Sequence, residues 1–337
     1  MPVIDAHTHF IPVELLDVIR RGDGPPDLEL VERDGADPLI VHGNGLRYPV
    51  FPLFHEVDAK LEQMDRDGID VSLMSLTPSL FLYWTDAGET ARVHRVINDA
   101  AADLAARSEG RLRGIATVPL NDPGAAVAEL ERACGSELGL VGVEIGTSVG
   151  EMMLDDPLLD PFFAAAARLG VPVMVHPYMT MIAAPGPSLQ GFHLANVIGN
   201  PTETFVAAAR LIVGGVLDRH PGLVVQLVHA GGGLPYQLGR LDHAYDVRAE
   251  MRNSSERRPS AYLDRFLFDT VAFDPRSLAF LISLAGAERV VFGTDLPFDM
   301  ADVSALGTLS GGGGWDPEVA AAVLGRNALR AYGLDGA

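Results

Sequence analysis

Four apolar, strand-like runs, spread from one end of the chain to the other, each end in a residue that can ligate a metal. They are Val3-Ile4-Asp5-Ala6-His7-Thr8-His9, Pro172-Val173-Met174-Val175-His176, Val224-Val225-Gln226-Leu227-Val228-His229 and Val290-Val291-Phe292-Gly293-Thr294-Asp295. A strand alternates its side chains with period two, so His7 and His9 point the same way. Side chains from the further strands can meet them only if those strands lie side by side. A sheet closed into a barrel does this, gathering residues from distant strands at one mouth. Three neutral imidazoles and one carboxylate make a borderline nitrogen-and-oxygen donor set suited to zinc.

The rest of the chain fits that frame. Apolar, β-branched runs lie near residues 3–8, 70–76, 113–119, 140–146, 171–177, 223–229, 266–272 and 289–294. Between them run helix-like stretches, for example Ala91 to Arg107, Gly124 to Cys134, Pro157 to Leu169, Thr202 to Arg219 and Pro317 to Tyr332. Asp122-Pro123, Asp156-Pro157 and Asp316-Pro317 place a capping carboxylate before a proline at the first helical position, and Gly170 and Gly333 read as helix stops. Eight strands alternating with helices predict an α/β fold, a (β/α)₈ barrel occupying the whole of residues 1–337. A doubly wound open sheet is the alternative, but no GxGxxG follows the first strand.

Residues 11–55 break the alternation with Gly22, Gly24, Pro25, Pro26, Gly35, Pro38, Gly43 and Gly45. Within them Leu28–Glu32 and Leu39–His42 can pair as a hairpin across Asp34-Gly35. An insertion after the first strand lies over the barrel mouth and reads as a small lid. A second long connection, about 179–200, follows a ligand-bearing strand and holds Met179, Met181, Pro185, Gly186, Phe192, His193 and Asn196. Ser310-Gly311-Gly312-Gly313-Gly314 reads as a flexible turn.

The 337 residues carry 25 basic and 45 acidic side chains, a net charge of −20. A nucleic-acid partner normally demands the opposite sign. Cys134 is the single cysteine, so no intrachain disulfide can form, and with no signal-like or membrane-spanning run the chain reads as cytoplasmic. Lys60 is the only lysine and lies in a helix-like stretch. A Schiff-base mechanism and a carboxylated lysine bridging two metals are therefore both disfavoured.

The chemistry expected is that of one divalent ion per chain, zinc by donor type with manganese or another ion as alternatives. Its candidate ligands are His7, His9, His176 and Asp295. Such a site leaves room for water, whose pKa the metal lowers. His229, before Gly231-Gly232-Gly233, is placed for proton transfer, the alternatives being a fifth ligand or a core histidine. Arg240, in a helix opened by Pro235, can hold a carboxylate bidentately or form a surface ion pair, and Arg47 in the insertion has the same two readings. Trp84 and Tyr83 either line the mouth or pack beside it. His42, His55, His94, His193, His220 and His243 lack a strand-end position and read as structural or surface groups, with His193 also a candidate substrate contact.

Asp5-Ala6-His7-Thr8-His9, Val175-His176-Pro177, His229-Ala230-Gly231-Gly232-Gly233 with Gly239-Arg240, and Gly293-Thr294-Asp295-Leu296-Pro297-Phe298 together resemble the amidohydrolase superfamily, and within it the aminocarboxymuconate-semialdehyde decarboxylase-like group. Gly142-Val143-Glu144-Ile145-Gly146-Thr147 and Gly199-Asn200-Pro201-Thr202-Glu203-Thr204 are similar to that group too. The resemblance implies zinc held by His7, His9, His176 and Asp295, and His229 working with water at the metal. It also implies a homodimer in which Arg240 reaches the neighbouring active site, with Arg47 as the lid arginine. The implied activity is nonoxidative decarboxylation of an unsaturated or aromatic carboxylate, a small molecule. Hydrolysis of a lactone or amide, or hydration of an unsaturated acid, is the rival on the same metal site, and a metal-stabilised binding scaffold is the non-enzymatic one. The decarboxylase is tryptophan-rich after its third metal-binding motif, where this chain has Tyr178-Met179-Thr180-Met181-Ile182 and Gly191-Phe192-His193-Leu194-Ala195-Asn196. The pocket wall, and with it the substrate, is expected to differ.

Overall fold

Strands packed on both faces need apolar, β-branched side chains throughout, and the strand-like runs supply them. The computed structural model describes residues 1–178, 189–310 and 314–334, so Met179 to Gln190 is covered only at its end, and Met179, Met181, Pro185, Gly186 and Gly311 to Gly313 lie outside the described residues. The chain opens with β1 (Ile4–Phe10), followed by α1 (Val13–Arg20), β2 (Leu28–Arg33), β3 (Ala36–His42) and β4 (Arg47–Pro49). Alternation then sets in with α2 (Val57–Asp67), β5 (Val71–Leu76), α3 (Ala87–Arg107), β6 (Leu112–Thr117), α4 (Pro123–Cys134) and β7 (Gly142–Gly146). A minimal hairpin, β8 (Ser148–Val149) and β9 (Met152–Met153), leads to α5 (Asp160–Leu169) and β10 (Val173–His176). Next come α6 (Asn200–Val213), α7 (Val216–Arg219), β11 (Val225–Leu227), α8 (Leu234–Val247) and β12 (Phe266–Phe268). The chain ends with α9 (Pro275–Ala285), α10 (Ser304–Ser310), α11 (Pro317–Ala321) and α12 (Asn327–Ala331).

Seven strands form one sheet in the order β1-β5-β6-β7-β10-β11-β12, every neighbour parallel. Residues 290–296 take the eighth place. Val290 bridges Phe268 of β12, and Leu296 bridges Thr8 of β1, so the curled sheet meets its own edge. This is the geometry of a (β/α)₈ barrel. The predicted strand at 289–294 is corrected in one respect: it makes isolated bridges, not a continuous ladder. Some of its hydrogen bonds leave the sheet: the Phe292 N–H donates to the Val323 carbonyl (2.8 Å), and the Thr294 N–H is shared between the His7 carbonyl (3.3 Å) and the Asp5 carboxylate (3.1 Å). Gly293 lies so near β1 that a Cβ there would stand 2.8 Å from the His7 Cβ.

The caps predicted at Asp122, Asp156 and Asp316 form, whereas α3 starts four residues before the predicted Ala91, capped by Asp86. Asp86, Asp122, Asp156 and Asp316 accept hydrogen bonds from N–H groups of the turns they open. Gly170 ends α5 with φ of 70°, as a left-handed stop requires. The stretch from Thr202 to Arg219 is two helices, not one, because Gly215 turns at φ 73° where a Cβ would stand 2.3 Å from the Ser254 carbonyl oxygen. The hairpin of residues 28–42 forms, and the short β4 adds a third antiparallel strand that alternation alone did not signal. Among the described residues no helix is long and apolar enough to cross a membrane.

Helix α3 shows how the outer layer is held. Val93, Ile97, Ala101 and Leu104 share one face and are buried, each large side chain stabilising by about 2 kcal/mol. Its His94 is fully buried, with Nε2 donating to the Phe81 carbonyl at 2.9 Å. Burial pushes the imidazole down to about 4, so it stays neutral in the fold. The unfolded chain, with an ordinary imidazole, takes up a proton below about pH 6.5. Stability from this residue is therefore complete above that pH and is lost as the pH falls towards 4. His94→Asn should flatten the fall of the urea midpoint between pH 7.5 and 4.5, relative to wild type, by up to roughly 3 kcal/mol in stability.

Candidate metal centre

Period two in β1 sends both the His7 and His9 rings to the barrel mouth, where they are fully buried with Nε2 atoms 3.2 Å apart. His176, at the end of β10, brings its ring to 5.2 Å from that of His7 and 5.0 Å from that of His9. Asp295 Oδ1 stands 2.9 Å from His9 Nε2, 3.5 Å from His7 Nε2 and 4.0 Å from His176 Nε2. One donor atom from each of the four lies within 4.8 Å of all the others.

The second nitrogen of each ring is already engaged. His7 Nδ1 donates to Asp269 Oδ2 at 2.7 Å, His176 Nδ1 to the Pro177 carbonyl at 2.7 Å, and His9 Nδ1 faces Ser75 Oγ at 3.2 Å and the Leu76 carbonyl at 3.3 Å. In a neutral ring these bonds leave the Nε2 lone pair aimed at the common point, and the buried Nε2 of His176 has no hydrogen-bond partner among the described residues. Burial holds His176 near 3 and His9 near 4, the neutral forms that ligate metals. His7 behaves oppositely: burial would lower it, but the carboxylates of Asp295 and Asp269 outweigh that and raise it to about 9. Asp295 is held well below the ordinary carboxylate range, against its burial, by the charge of His7 and by the neighbouring imidazoles of His176, His229 and His9. The cluster thus demands a positive charge at its centre, and its buried His-His-His-Asp donor set can hold a divalent ion.

His229 stands beside this cluster. Its Nε2 is 3.6 Å from Asp295 Oδ2, its ring 5.1 Å from that of His176, and its buried Nδ1 has no hydrogen-bond partner. The turn that presents it is strained, with φ of 55° at His229 and 53° at Ala230, and Asp295 is also left-handed at 65°. A cavity of about 340 Å³ opens over the cluster, lined by His229, Asp295, Asn196, Asn200, Phe273 and Met300 among others. Ala230, Gly232 and Ser277 also line an adjoining groove of about 510 Å³.

The predicted substrate contacts lie elsewhere in a single chain. Arg240 on α8, Arg47 on β4 and His193 are exposed, and none lines that cavity. Trp84 packs on the insertion, its indole N–H donating to Asp27 and its ring 5.9 Å from that of His42, while Tyr83 is buried and stacked on Phe81. Three supporting groups were not singled out from sequence. Asp269 follows the Phe-Leu-Phe of β12, so the strand-end rule that found the other ligands could have found it. Lys60 reaches from α2 to donate to the His9 carbonyl at 2.8 Å, and burial lowers its ammonium to about 8. Glu144 is fully buried in β7 with Oε1 4.0 Å from His9 Nδ1, and burial lifts its carboxyl well above the usual range. No sequence spacing announces either contact.

Fold and donors together define a barrel enzyme of the metal-dependent type. The sequence model of the amidohydrolase family matches residues 4–334, and the chain belongs to that family. It is 31% identical to 2-amino-3-carboxymuconate-6-semialdehyde decarboxylase of Dictyostelium discoideum, over 98% of this chain and 92% of that protein. It is 33% identical to gamma-resorcylate decarboxylase of Rhizobium radiobacter, over 73% of this chain and 78% of that one. The crystal structure of a dihydroxybenzoic acid decarboxylase from Polaromonas sp. JS666, with bound manganese and the inhibitor 2-nitroresorcinol, superposes with a TM-score of 0.79. It shares 26% identity and covers 100% of this chain and 98% of that one. The chain is an enzyme, a carboxy-lyase of the amidohydrolase superfamily.

One contact tests how tightly the His229 turn is seated. Gly232 has φ of 58°, and a Cβ there would fall 2.1 Å from the Pro201 carbonyl oxygen. Gly232→Ala should cost on the order of 2 kcal/mol in urea unfolding, and turnover should fall further than stability because the displaced turn carries His229.

Proposed function

We propose that the chain is a metal-dependent, nonoxidative decarboxylase of an aromatic or unsaturated carboxylic acid, with His7, His9, His176 and Asp295 holding the ion. The observation that carries this reading is the His229 imidazole, 3.6 Å from Asp295 beside the donor cluster, on the wall of a cavity of about 340 Å³. Donor type favours zinc, and the manganese of the Polaromonas relative makes manganese the first alternative. A bound divalent ion would polarise a substrate oxygen next to the leaving carboxylate. Asn196 offers an amide to orient the acid, and Val271, Phe273 and Met300 supply an apolar wall that limits water. The C–COO⁻ bond breaks, carbon dioxide departs, its electron pair stays on the substrate carbon, and a proton delivered by His229 takes the vacated position.

Residues 11–55 serve as the lid in this reading, supported by the Trp84 to Asp27 hydrogen bond that ties the insertion to the connection after β5. The enzyme works as a homodimer. In one chain Arg240 is exposed and forms no ion pair among the described residues, and a neighbouring subunit gives it a carboxylate to bind.

Substrates should be sought among hydroxybenzoates and dienoic acids, by carbon dioxide release, alongside lactones by acid release. In deuterated water the product should carry deuterium at the carbon that bore the carboxylate. Acid release from lactones with no carbon dioxide across the panel would replace this reading with hydrolysis. A chelator should abolish turnover and one divalent ion per chain should restore it, whereas Asp295→Ala should lower metal occupancy with folding intact, the core being large enough without the ion. His229→Ala should keep its metal and lose on the order of 10²–10⁴ in turnover.

Arg240→Lys should raise KM for a substrate with a second carboxylate far more than for one without it, because the bidentate fork is lost while the charge remains. Equal losses on both substrates would mark Arg240 as structural.

A further inference from the structure

We infer that Asp269 is a positioning residue which couples the metal centre to the proton-transferring turn, one buried carboxylate fixing both the ring of His7 and the backbone of His229. The inference rests on the metal and His229 assignments proposed above. Asp269 Oδ2 accepts from His7 Nδ1 at 2.7 Å and from the His229 N–H at 2.9 Å. Its Oδ1 accepts from the Ala230 N–H at 2.7 Å and the Val271 N–H at 3.1 Å. Four N–H donors from β1, the His229 turn and the end of β12 thus converge on one fully buried side chain. No arginine or lysine pairs with it, so these N–H groups are its hydrogen-bond partners among the described residues.

The convergence determines the residue type. A carboxylate only accepts, with lone pairs for all four donors, whereas an amide must turn an N–H toward two of them. Each half of the contact has its own consequence. By accepting the hydrogen bond from His7 Nδ1–H, Asp269 holds the proton on Nδ1 and leaves Nε2 free to face the common point, 3.5 Å from Asp295. By holding two consecutive N–H groups, it keeps His229 and Ala230 at φ of 55° and 53°, the conformation that brings His229 Nε2 to 3.6 Å from Asp295. A displacement of Asp269 therefore moves a metal ligand and the proton donor together.

The test uses the metal-loaded enzyme and Asp269→Asn. Chelator competition with zinc should show metal affinity weakened about 10–100-fold, the usual size of an outer-shell loss. At saturating zinc, kcat should still fall while KM changes less, because the His229 turn is released. In zinc-loaded protein labelled with ¹⁵N-histidine, wild type should show a slowly exchanging proton on His7 Nδ1, and the variant should lose it. Asp269→Glu, which retains an acceptor-only group, should recover part of both the affinity and the Nδ1 proton. A purely structural residue would lower the melting temperature and leave metal affinity and that proton unchanged, and this result overturns the inference. Should neither variant fold, the wild-type spectrum decides: an Nδ1 without a proton overturns it. If wild-type enzyme binds no divalent ion, the proposed metal site itself falls. If wild type binds zinc and Asp269→Asn binds it equally well, only the coupling falls.

Discussion

Buried lone pairs that face one another repel unless positive charge lies among them, and everything at this barrel mouth follows from that constraint. Three imidazole nitrogens and one carboxylate oxygen converge from three parts of the chain with separations as short as 2.9 Å. The protein alone answers with a proton: His7 is raised to about 9 by Asp295 and Asp269 although burial opposes it. His9 and His176, lacking a buried carboxylate on the outer nitrogen, stay neutral. A divalent ion satisfies all four donors at once, which one proton cannot. Closure of the sheet is what makes the convergence possible, because β1 and residues 290–296 must be neighbours for Asp295 to reach His9.

The convergence is held from beneath by buried polar groups. Asp5 accepts the Thr294 hydroxyl at 2.6 Å and the Thr294 N–H, tying the seam where the barrel closes. Lys60 binds the His9 carbonyl. The left-handed backbone at His229, Ala230 and Asp295 costs about 1–3 kcal/mol at each residue. Hydrogen bonds to a charged carboxylate contribute about 1.5–3 kcal/mol each, so the two that reach Asp269 from His229 and Ala230 are of the size needed to offset that strain. Of the eight described non-glycine residues with left-handed φ, four, His229, Ala230, Phe273 and Asp295, line the cavity.

Much of this was legible because strand ends are marked twice, by an apolar run and by the residue that terminates it. That double mark located His7, His9, His176 and Asp295, and it predicted the parallel alternation of helices and strands. Three features escaped it for physical reasons. Residues 289–294 look like a strand because they are apolar, yet their N–H groups bond the Asp5 side chain and single carbonyls, and sequence pattern does not record where an N–H goes. Lys60 lies on a helix whose polar pattern suggests exposure, but its long stem carries the ammonium through to β1. Arg240 and Arg47 are exposed in one chain. Neither lines the cavity, and no periodicity within the sequence records which way a polar surface side chain faces.

A metal ringed by histidines serves hydrolysis and carbon–carbon cleavage equally well, so the donor set does not choose between them. The choice lies in what stands beside it. Hydrolysis needs water delivered to a carbonyl, whereas decarboxylation needs a proton delivered to carbon and as little competing water as possible. The cavity wall of Val271, Phe273 and Met300 is apolar on the side where a substrate ring would lie. Among the described residues its one titratable lining group outside the donor cluster is His229, whose Nδ1 has no partner among them and whose Nε2 is 3.6 Å from Asp295. An imidazole placed in that way is suited to the proton transfer proposed for it, and an apolar wall beside it is suited to limiting water. The groups beside the donor set, more than the donors themselves, bear on which reaction this barrel mouth suits.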